Sequence, residues 1–307
     1  MRAKNANTGQ QSGRLRKVVN GKFVPYLIMV LPLFLVYLIL TVVTTSSTFL
    51  FSFTDFDGLS IVDFNWVGWK NYKVAFQDET FVMALKNTIL YAIAVTLIQN
   101  ILGLFLALGL NKKMKSANFL RTLLFTPAII STVVISYAFT YIYDTNGLVN
   151  MILEFFHLDA LTRTWLGEPQ LALVCVAVSN IWRFLGYSAV IFIANMQSIS
   201  TDVLEAANID GATGFQKFRY ITFPLLAPSV TINLTLSFIG CLKVFDTVYT
   251  MTGGGPGNYS EVMGTYILKL QGQNLNGYAC ALAVILTLII LGLNLITFPY
   301  LKRRENY

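Results

Sequence analysis

Six long apolar runs constrain this chain more than any other feature of its sequence. A transmembrane helix needs roughly 20 mostly apolar residues to cross a hydrocarbon core of about 30 Å, and all six runs are long enough. Only 12% of the residues are charged, whereas soluble domains carry about 25%. Backbone groups in lipid must form their hydrogen bonds within the protein, which helices do by themselves. The sequence therefore predicts an all-α integral membrane protein with six transmembrane helices, at about residues 25–48, 83–109, 119–142, 171–196, 225–249 and 279–300.

The placement of lysine and arginine predicts how these spans are oriented. Basic residues in short loops favour the cytoplasmic side, while acidic residues contribute little. Most of the 22 basic residues lie in the N-terminal tail, in the connections between spans two and three and between spans four and five, and at the C-terminus. The opposite loops carry only Lys70, Lys73, Arg163 and Lys269. We therefore expect both termini to be cytoplasmic, and the basic excess to reflect topology rather than nucleic-acid binding.

Domain organisation follows from the length of the loops, none of which could form an independent domain. Residues 25–302 are expected to form one six-helix domain. Residues 1–24 are polar and basic and are expected to be a flexible cytoplasmic tail, and residues 303–307 a short cytoplasmic C-terminal tail. The cysteines fall inside predicted spans without metal-ligand spacing and are expected to act as small apolar side chains; they are Cys175, Cys241 and Cys280. The sequence predicts neither a catalytic residue nor a metal site.

The cytoplasmic segment 197–223 is polar and rich in small residues, in a chain that is otherwise mostly hydrophobic. Asp202 is placed to cap a short helix, with Glu205 three residues later in capping-box spacing. Gly211 suits the end of that helix, and a second short helix is predicted over about residues 215–222. Such a helix–turn–helix would lie across the inner ends of the spans and offer a small-residue surface to another protein. Spacing alone leaves open that the segment is only a capped helix and an ordinary turn.

Several motifs of the chain occur together in a known arrangement. Within the cytoplasmic segment they are Glu205-Ala206-Ala207, Asp210-Gly211-Ala212, Phe218 and Pro224. Elsewhere they are Trp66-Val67-Gly68 with Asn71-Tyr72, the stretch from Arg121 to Pro127, Trp165-Leu166-Gly167, and the stretch from Thr252 to Pro256. This pattern resembles the permease subunits of ATP-binding-cassette (ABC) importers, in the carbohydrate branch of the maltose and glycerol-phosphate type. The resemblance covers about residues 25–302 and fits the shorter, six-span form of these subunits.

The resemblance implies a role for the cytoplasmic segment and a set of partners. In that family the loop forms a coupling helix that inserts into a groove of an ATPase subunit. Here that role would fall to Glu205, Ala206, Ala207, Asp210, Gly211 and Ala212. The chain would then be a multi-pass permease in a bacterial plasma membrane that moves a sugar or oligosaccharide into the cytoplasm. It would work with a second permease subunit in a heterodimer, two ATPase subunits and an extracytoplasmic solute-binding protein.

Nucleotide chemistry is not expected on this chain. The sequence contains no G-x-x-x-x-G-K-[ST] motif, whose glycine-rich loop would hold nucleotide phosphates. We therefore expect ATP and Mg²⁺ to be bound by the partner ATPase subunits, no cofactor to be bound by this chain, and the chain itself not to be an enzyme.

Charged and polar residues inside the predicted spans indicate a solute path, because such residues are costly in lipid and usually face a water-filled pathway. Arg183 is expected about 18 Å from the outer end of span four, at 1.5 Å per residue. Lys243 and Asp246 are spaced i,i+3 and are expected to share a face near the outer end of span five. The candidate path residues are Asn180, Trp182, Arg183, Tyr187, Lys243 and Asp246. Interhelical contacts, an aromatic belt and a Lys243–Asp246 ion pair remain open as alternatives.

Two other function classes compete with an ABC permease. A secondary transporter driven by an ion gradient predicts internal repeats, broken helices and a chain that works alone. The sequence shows no internal repeat, and six spans are few for that class. A membrane enzyme would need a convergent cluster of His, Asp or Glu within the spans, where only Asp246 is available.

Overall fold

The computed structural model of the chain describes residue 26 and residues 28–60, 63–111 and 115–302. The predicted tails, residues 1–24 and 303–307, lie outside the described residues. Within the described ranges the regular structure is helical, and the β-type pairing there is an isolated antiparallel bridge between Thr54 and Trp66. The predicted all-α architecture therefore agrees with the described part of the chain.

The helices are joined by connections of very different length. In chain order they are α1 (Ile28–Phe51), α2 (Lys70–Ala75), α3 (Glu79–Leu110), α4 (Ala117–Ile129), α5 (Thr132–Ile142), α6 (Leu148–Phe155), α7 (Pro169–Ser198), α8 (Thr201–Ile209), α9 (Gly214–Leu225), α10 (Ala227–Leu242), α11 (Asp246–Met251), α12 (Met263–Gly272) and α13 (Asn276–Lys302). α1 contains a π-helical turn at Leu38–Val43, and α9 contains one at Phe218–Thr222.

The long helices match four of the predicted spans. Among the described residues, α1, α3, α7 and α13 are each long and apolar enough to cross a membrane. They correspond to predicted spans one, two, four and six. The candidate spans number six if each of two bent helix pairs, α4 with α5 and α9 with α10, crosses once.

The predicted third span, 119–142, is not one continuous helix. α4 ends at Ile129 and α5 begins at Thr132, and the two axes meet at 98°. Pro127 lies in the last turn of α4, where it has no N–H to donate and its ring crowds the preceding turn, so the helix ends within the next few residues. Hydropathy does not detect this break because the residues on both sides are apolar.

The predicted fifth span, 225–249, is bent at its start and broken near its end. α9 and α10 meet at 63°, and α10 carries Pro228 in its first turn, where a missing N–H costs least. At the other end the Val244 N–H bonds to the Cys241 carbonyl, a tight 3₁₀-type turn that closes α10 at Leu242.

The helices cross most closely at small residues. Gly103 of α3 lies against Ser188 of α7, and Gly186 of α7 lies against the backbone of α4. A Cβ atom at Gly186 would lie 1.9 Å from the Leu124 carbonyl oxygen, so only glycine fits at this crossing. Small residues allow membrane helices to pack through their backbones in this way. α3, α7 and α10 consequently form a close-packed group, in which Cys175 and Cys241 are buried as free thiols.

One carboxylate joins three helices at the end of α3 that is predicted to be extracytoplasmic. Asp78 caps α3 by accepting hydrogen bonds from the N–H groups of Thr80 at 2.9 Å and Phe81 at 3.3 Å. It also accepts from the hydroxyl of Tyr278 in α13 at 2.8 Å and from that of Tyr266 in α12. These ends of α3, α12 and α13 are thus tied to a single side chain.

Candidate functional site

The predicted docking segment folds as two short helices, α8 and α9. Ser200 caps α8, because its hydroxyl accepts a hydrogen bond from the N–H of Asp202 at 3.2 Å. The prediction that Asp202 is the cap is wrong: Ser200 has the non-helical backbone of a cap residue, with ψ at 134°, while Asp202 already lies in the first turn. In the first turn a negative charge faces the positive end of the helix dipole.

Gly211 ends α8, as the sequence predicts. Its φ is +74°, in the left-handed region that glycine adopts without steric penalty. The Gly211 N–H bonds to the Asn208 carbonyl at 3.1 Å, and the Ala212 N–H bonds to the Ala207 carbonyl at 3.0 Å. This is the Schellman arrangement, in which the last carbonyls of a helix are satisfied by the residues that follow it directly.

α9 is fixed to α8 and to the ends of two long helices. Thr213 and Gln216 form a capping box at its start, and Lys217 Nζ donates to Asn208 Oδ1 at 2.6 Å. The segment borders a cavity of about 420 Å³ that is lined by Leu108, Asn111, Met196, Leu204, Asn208, Gly214, Lys217, Phe218 and Thr222. It therefore lies across the ends of α3 and α7, as the sequence predicts for a helix–turn–helix at the ends of the spans.

The outward surface of this docking segment (residues 200–225) combines charge, small residues and two large apolar side chains. The predicted docking residues that are exposed are Glu205, Ala206, Asp210 and Gly211. Ala212 is half-buried, and Ala207 is buried against its own chain. Ile209 and Phe215 are 87% and 75% exposed, and neither is among the predicted docking residues. The available signal was two bulky apolar residues in a segment that belongs to no predicted span.

A largely apolar cavity of about 300 Å³ with several polar side chains lies between α3, α7 and α10, and two of the predicted path residues line it, Asn180 and Tyr187. The complete lining is Gln99, Asn180, Phe184, Tyr187, Ser188, Asn233, Leu236, Ser237, Gly240 and Cys241. Asn180 Nδ2 donates to the hydroxyl oxygen of Tyr91 at 2.7 Å, and the Tyr187 ring stacks on Phe125 with centroids 6.3 Å apart. The cavity thus offers both amide groups and an aromatic ring.

Three further polar residues of this cavity, Ser188, Asn233 and Ser237, were missed in the list of candidate path residues. Gln99 Nε2 donates to Ser188 Oγ at 2.8 Å, and Asn233 Nδ2 donates to the Ser188 carbonyl at 3.2 Å. Ser237 Oγ donates to the Asn233 carbonyl at 2.6 Å. Asn233 and Ser237 are one turn apart on α10, and that i,i+4 spacing in an apolar run was the signal available in the sequence.

Arg183 and Trp182 do not line the cavity: Arg183 lies at the break between α4 and α5, and Trp182 packs against α5. Arg183 Nη2 donates to the Ile130 carbonyl at 2.9 Å, and Nη1 donates to Thr132 Oγ1. Trp182 is 49% exposed and packs edge-on against Phe139 of α5, with centroids 5.3 Å apart. The structure therefore separates these two residues from Asn180 and Tyr187, although all four belong to α7.

Lys243 and Asp246 are exposed at the second break, between α10 and α11. The expectation that they share a helix face is wrong, because α10 has ended before Lys243 and Asp246 starts a new helix. The ion pair left open above does not form, since the ion pairs of the described ranges join Arg163 to Glu168 and Lys269 to Glu261. No three His, Cys, Asp or Glu side chains among the described residues lie together as a metal site would require.

Comparison with known proteins finds a matching family and several relatives. The family described as binding-protein-dependent transport system inner membrane component matches residues 99–302. The chain is 35% identical to a probable ABC transporter permease protein, YurN, of Bacillus subtilis, over 93% of this chain and 98% of that relative. It is 31% identical to the trehalose/maltose transport system permease protein MalF of Thermococcus litoralis, over 90% of this chain and 92% of that relative.

Solved structures show the same similarity in three dimensions. A crystal structure of a bacterial alginate ABC transporter, in complex with an alginate pentasaccharide-bound periplasmic protein, contains a chain that matches with a TM-score of 0.82. That match has 25% sequence identity and covers 95% of this chain and 98% of the other.

Proposed function

The chain belongs to the family of binding-protein-dependent transport system inner membrane components, and from that premise we propose that it is the permease subunit of an ATP-driven importer of a sugar or oligosaccharide. Its place in the plasma membrane as a multi-pass protein follows from the family and from the long apolar helices. Related permeases are named for trehalose and maltose and for multiple sugars, which supports a carbohydrate as the solute.

The observation that carries this proposal is the exposed break between α4 and α5. Arg183, which bonds to the break, lies halfway along the 30-residue α7, so the break would lie near the middle of a membrane that α7 spans. Ile130 and Ser131 are exposed there. Irregular backbone at that depth is tolerated only against protein or water. This side of the chain would therefore face a solute pathway or a second permease subunit rather than lipid. Broken spans also occur in ion-driven transporters, and the family membership favours the ABC class.

We also propose six spans with both termini in the cytoplasm. Each bent pair would cross the membrane once, which adds two spans to the four long helices. An even number of spans returns the C-terminus to the side of the N-terminus. The docking segment follows four spans and would share that side, where the ATPase subunits are expected.

Coupling would run from the docking segment to the cavity. α8 and α9 rest on the ends of α3 and α7, and the same two helices line the 300 Å³ cavity. A partner ATPase that binds ATP and Mg²⁺ and moves α8 would thereby shift the helices around the solute, which is a coupling between two distant sites. The remaining partners would be a second permease subunit in a heterodimer and an extracytoplasmic solute-binding protein.

Reversing the charge of Glu205 tests this function. The tagged chain is purified in detergent from its native membranes with its partners, and the ATPase activity that co-purifies is measured together with ATP-dependent sugar uptake by the same cells. We expect Glu205→Lys to lose most of both activities while the chain stays in the membrane at its usual amount. The matched control is Glu154→Lys, an exposed charge reversal on α6, which should retain both. Wild-type ATPase recovery and uptake in Glu205→Lys would contradict the docking role.

A further inference from the structure

The break between α4 and α5 leaves backbone groups that no helix satisfies. Ile130 and Ser131 are extended, with ψ at 146° and 135°, so the Ile130 carbonyl lies outside both helical hydrogen-bond ladders. Such a carbonyl at mid-membrane depth needs a donor from elsewhere in the protein. The donor is Arg183, 53 positions along the chain.

Arg183 contacts both sides of this break. One guanidinium nitrogen donates to the Ile130 carbonyl at 2.9 Å, just after α4, and the other donates to the hydroxyl of Thr132, the first residue of α5. The guanidinium lies over the Phe184 ring at 4.7 Å, which holds it in place. The planar fork of arginine allows two such bonds at once, whereas the single ammonium of lysine lacks that geometry.

The second break lies beside the first. α11 begins at Asp246 and packs against α5, and the negative charge of Asp246 acts on the Arg183 guanidinium. Among the described residues Asp246 forms no ion pair within 4.0 Å, and its side chain is exposed. One arginine on the unbroken α7 is therefore bonded to one break and electrostatically linked to the other.

We propose that Arg183 is a positioning residue that ties the two breaks together, so that α5 and α11 keep one relative arrangement while the rest of the spans move. This inference rests on the proposed transport function for its purpose, and on the contacts above for its geometry. Arg183 thus has a different role from Asn180 and Tyr187. Those two residues line the cavity, whereas Arg183 fixes the positions of α5 and α11 relative to each other.

Spin-label distances between α5 and α11 test the tether directly. The complex is purified with a chain whose three cysteines are replaced by alanine and whose exposed Tyr137 and Tyr249 are replaced by labelled cysteines. Distances are measured in nanodiscs without nucleotide and with ATP and vanadate. We expect one narrow distribution in both states for the parent chain, at least a twofold broader one for Arg183→Lys, and a smaller broadening for Thr132→Val. The variant that combines Arg183→Lys with Thr132→Val should have a distance distribution no broader than that of Arg183→Lys alone.

The control is Arg163→Lys, which makes the same exchange at an exposed outer arginine and should leave the distribution narrow. An unchanged width in Arg183→Lys, or equal broadening in the control, would overturn the tether. The distance measurement does not depend on transport. An inactive parent complex with a narrow distribution would count against the proposed function, whereas an active complex with unchanged Arg183→Lys distances would count against the tether alone.

Discussion

The docking segment and the break between α4 and α5 solve the same structural problem in different ways. In each region one helix ends and another begins within a few residues. The docking segment satisfies its helix ends with its own neighbours, through Ser200, Gly211 and the Thr213–Gln216 box. The break is satisfied by Arg183, which lies 53 positions away in the chain.

This difference follows from where each region lies. A segment in water can be capped locally, and local capping leaves its outward face, including Ile209 and Phe215, free for another protein. At membrane depth the groups of a broken backbone must bond to protein or to the water of a pathway, and here Arg183, brought in by packing, supplies the donor. We therefore expect substitutions in the docking segment to act locally and on partner binding, and substitutions around the break to act on the whole fold.

The largest effect is expected at Gly186, on the packing that brings α7 to α4. In Gly186→Ala the new Cβ would meet the Leu124 carbonyl at 1.9 Å, and because both groups belong to backbones, one helix must shift. Overpacking of this kind should destabilise the chain by about 3 kcal/mol. The checks are the amount of monodisperse protein in detergent and its melting temperature. Gly292→Ala, where a Cβ meets nothing within 4 Å, is the control, and equal stability of the two variants would contradict the prediction.

A smaller effect is expected at Asp78, which combines a local cap with long-range bonds. Asp78→Ala removes the cap of α3 and the acceptor for Tyr266 and Tyr278, which should destabilise the fold by roughly 2 kcal/mol. Thermal unfolding in detergent measures this loss. Asp63→Ala, an exposed outer carboxylate, should change the melting temperature little.

The Asp78 contribution should also depend on pH. Burial raises the pKa of this carboxyl. The hydrogen bonds from both tyrosine hydroxyls and from the N–H groups of Phe81 and Thr80 lower the pKa by more than burial raises it, so it lies below its usual 3.8. A carboxylate with a lowered folded-state pKa stabilises above the unfolded value of about 4 and loses that stabilisation as pH falls through the folded value. The difference in stability between wild type and Asp78→Ala should therefore be largest at pH 7 and shrink below about pH 4. A difference that grows on acidification would contradict this assignment.

Sequence reasoning recovered what local rules determine. Apolar length placed α1, α3, α7 and α13, because lipid thickness dictates the length of a span. Gly211 was recognised as a helix end because few other residues accept its backbone conformation. The cap was assigned to Asp202 instead of Ser200 because both residues are good caps, and the choice depends on where the chain leaves α7.

Long-range relations could not be predicted in the same way. The third span was predicted as one continuous helix in spite of Pro127, and hydropathy gives neither the 98° angle nor the partner of the freed carbonyl. Arg183 was recognised as a costly charge inside a span, while its bonds to residues 130 and 132 depend on how α7 packs on α4. Ser188, Asn233 and Ser237 reach the cavity for the same reason, since only the crossing of α7 and α10 brings them together.

Within the docking segment, Gly211 should be the most sensitive position to side-chain shape. Gly211→Val places a β-branched residue at φ +74°, where the left-handed backbone costs roughly 1–2 kcal/mol. We expect faster amide exchange in residues 206–212 and a several-fold loss of co-purifying ATPase activity. Gly211→Asn, which accepts this conformation, should recover much of both. Gly214→Val, at a nearby exposed glycine with negative φ, should have little effect, and equal losses at both glycines would contradict the backbone explanation.

The smallest effect separates the two candidate caps of α8. Ser200→Ala removes the acceptor of the Asp202 N–H, which should destabilise α8 by about 1 kcal/mol and speed amide exchange at residues 202–204 roughly fivefold. Asp202→Ala loses only the favourable placement of a charge in the first turn, about 0.5 kcal/mol, so it should speed exchange less. Neither change should move the melting temperature of the whole chain, because α8 lies on the surface and its caps are local. Hydrogen exchange measured by mass spectrometry decides between the two caps. Faster exchange in Asp202→Ala than in Ser200→Ala would show that Asp202 is the cap. A lower melting temperature of the whole chain in Ser200→Ala would show that the segment is coupled to the spans as firmly as the break at Arg183.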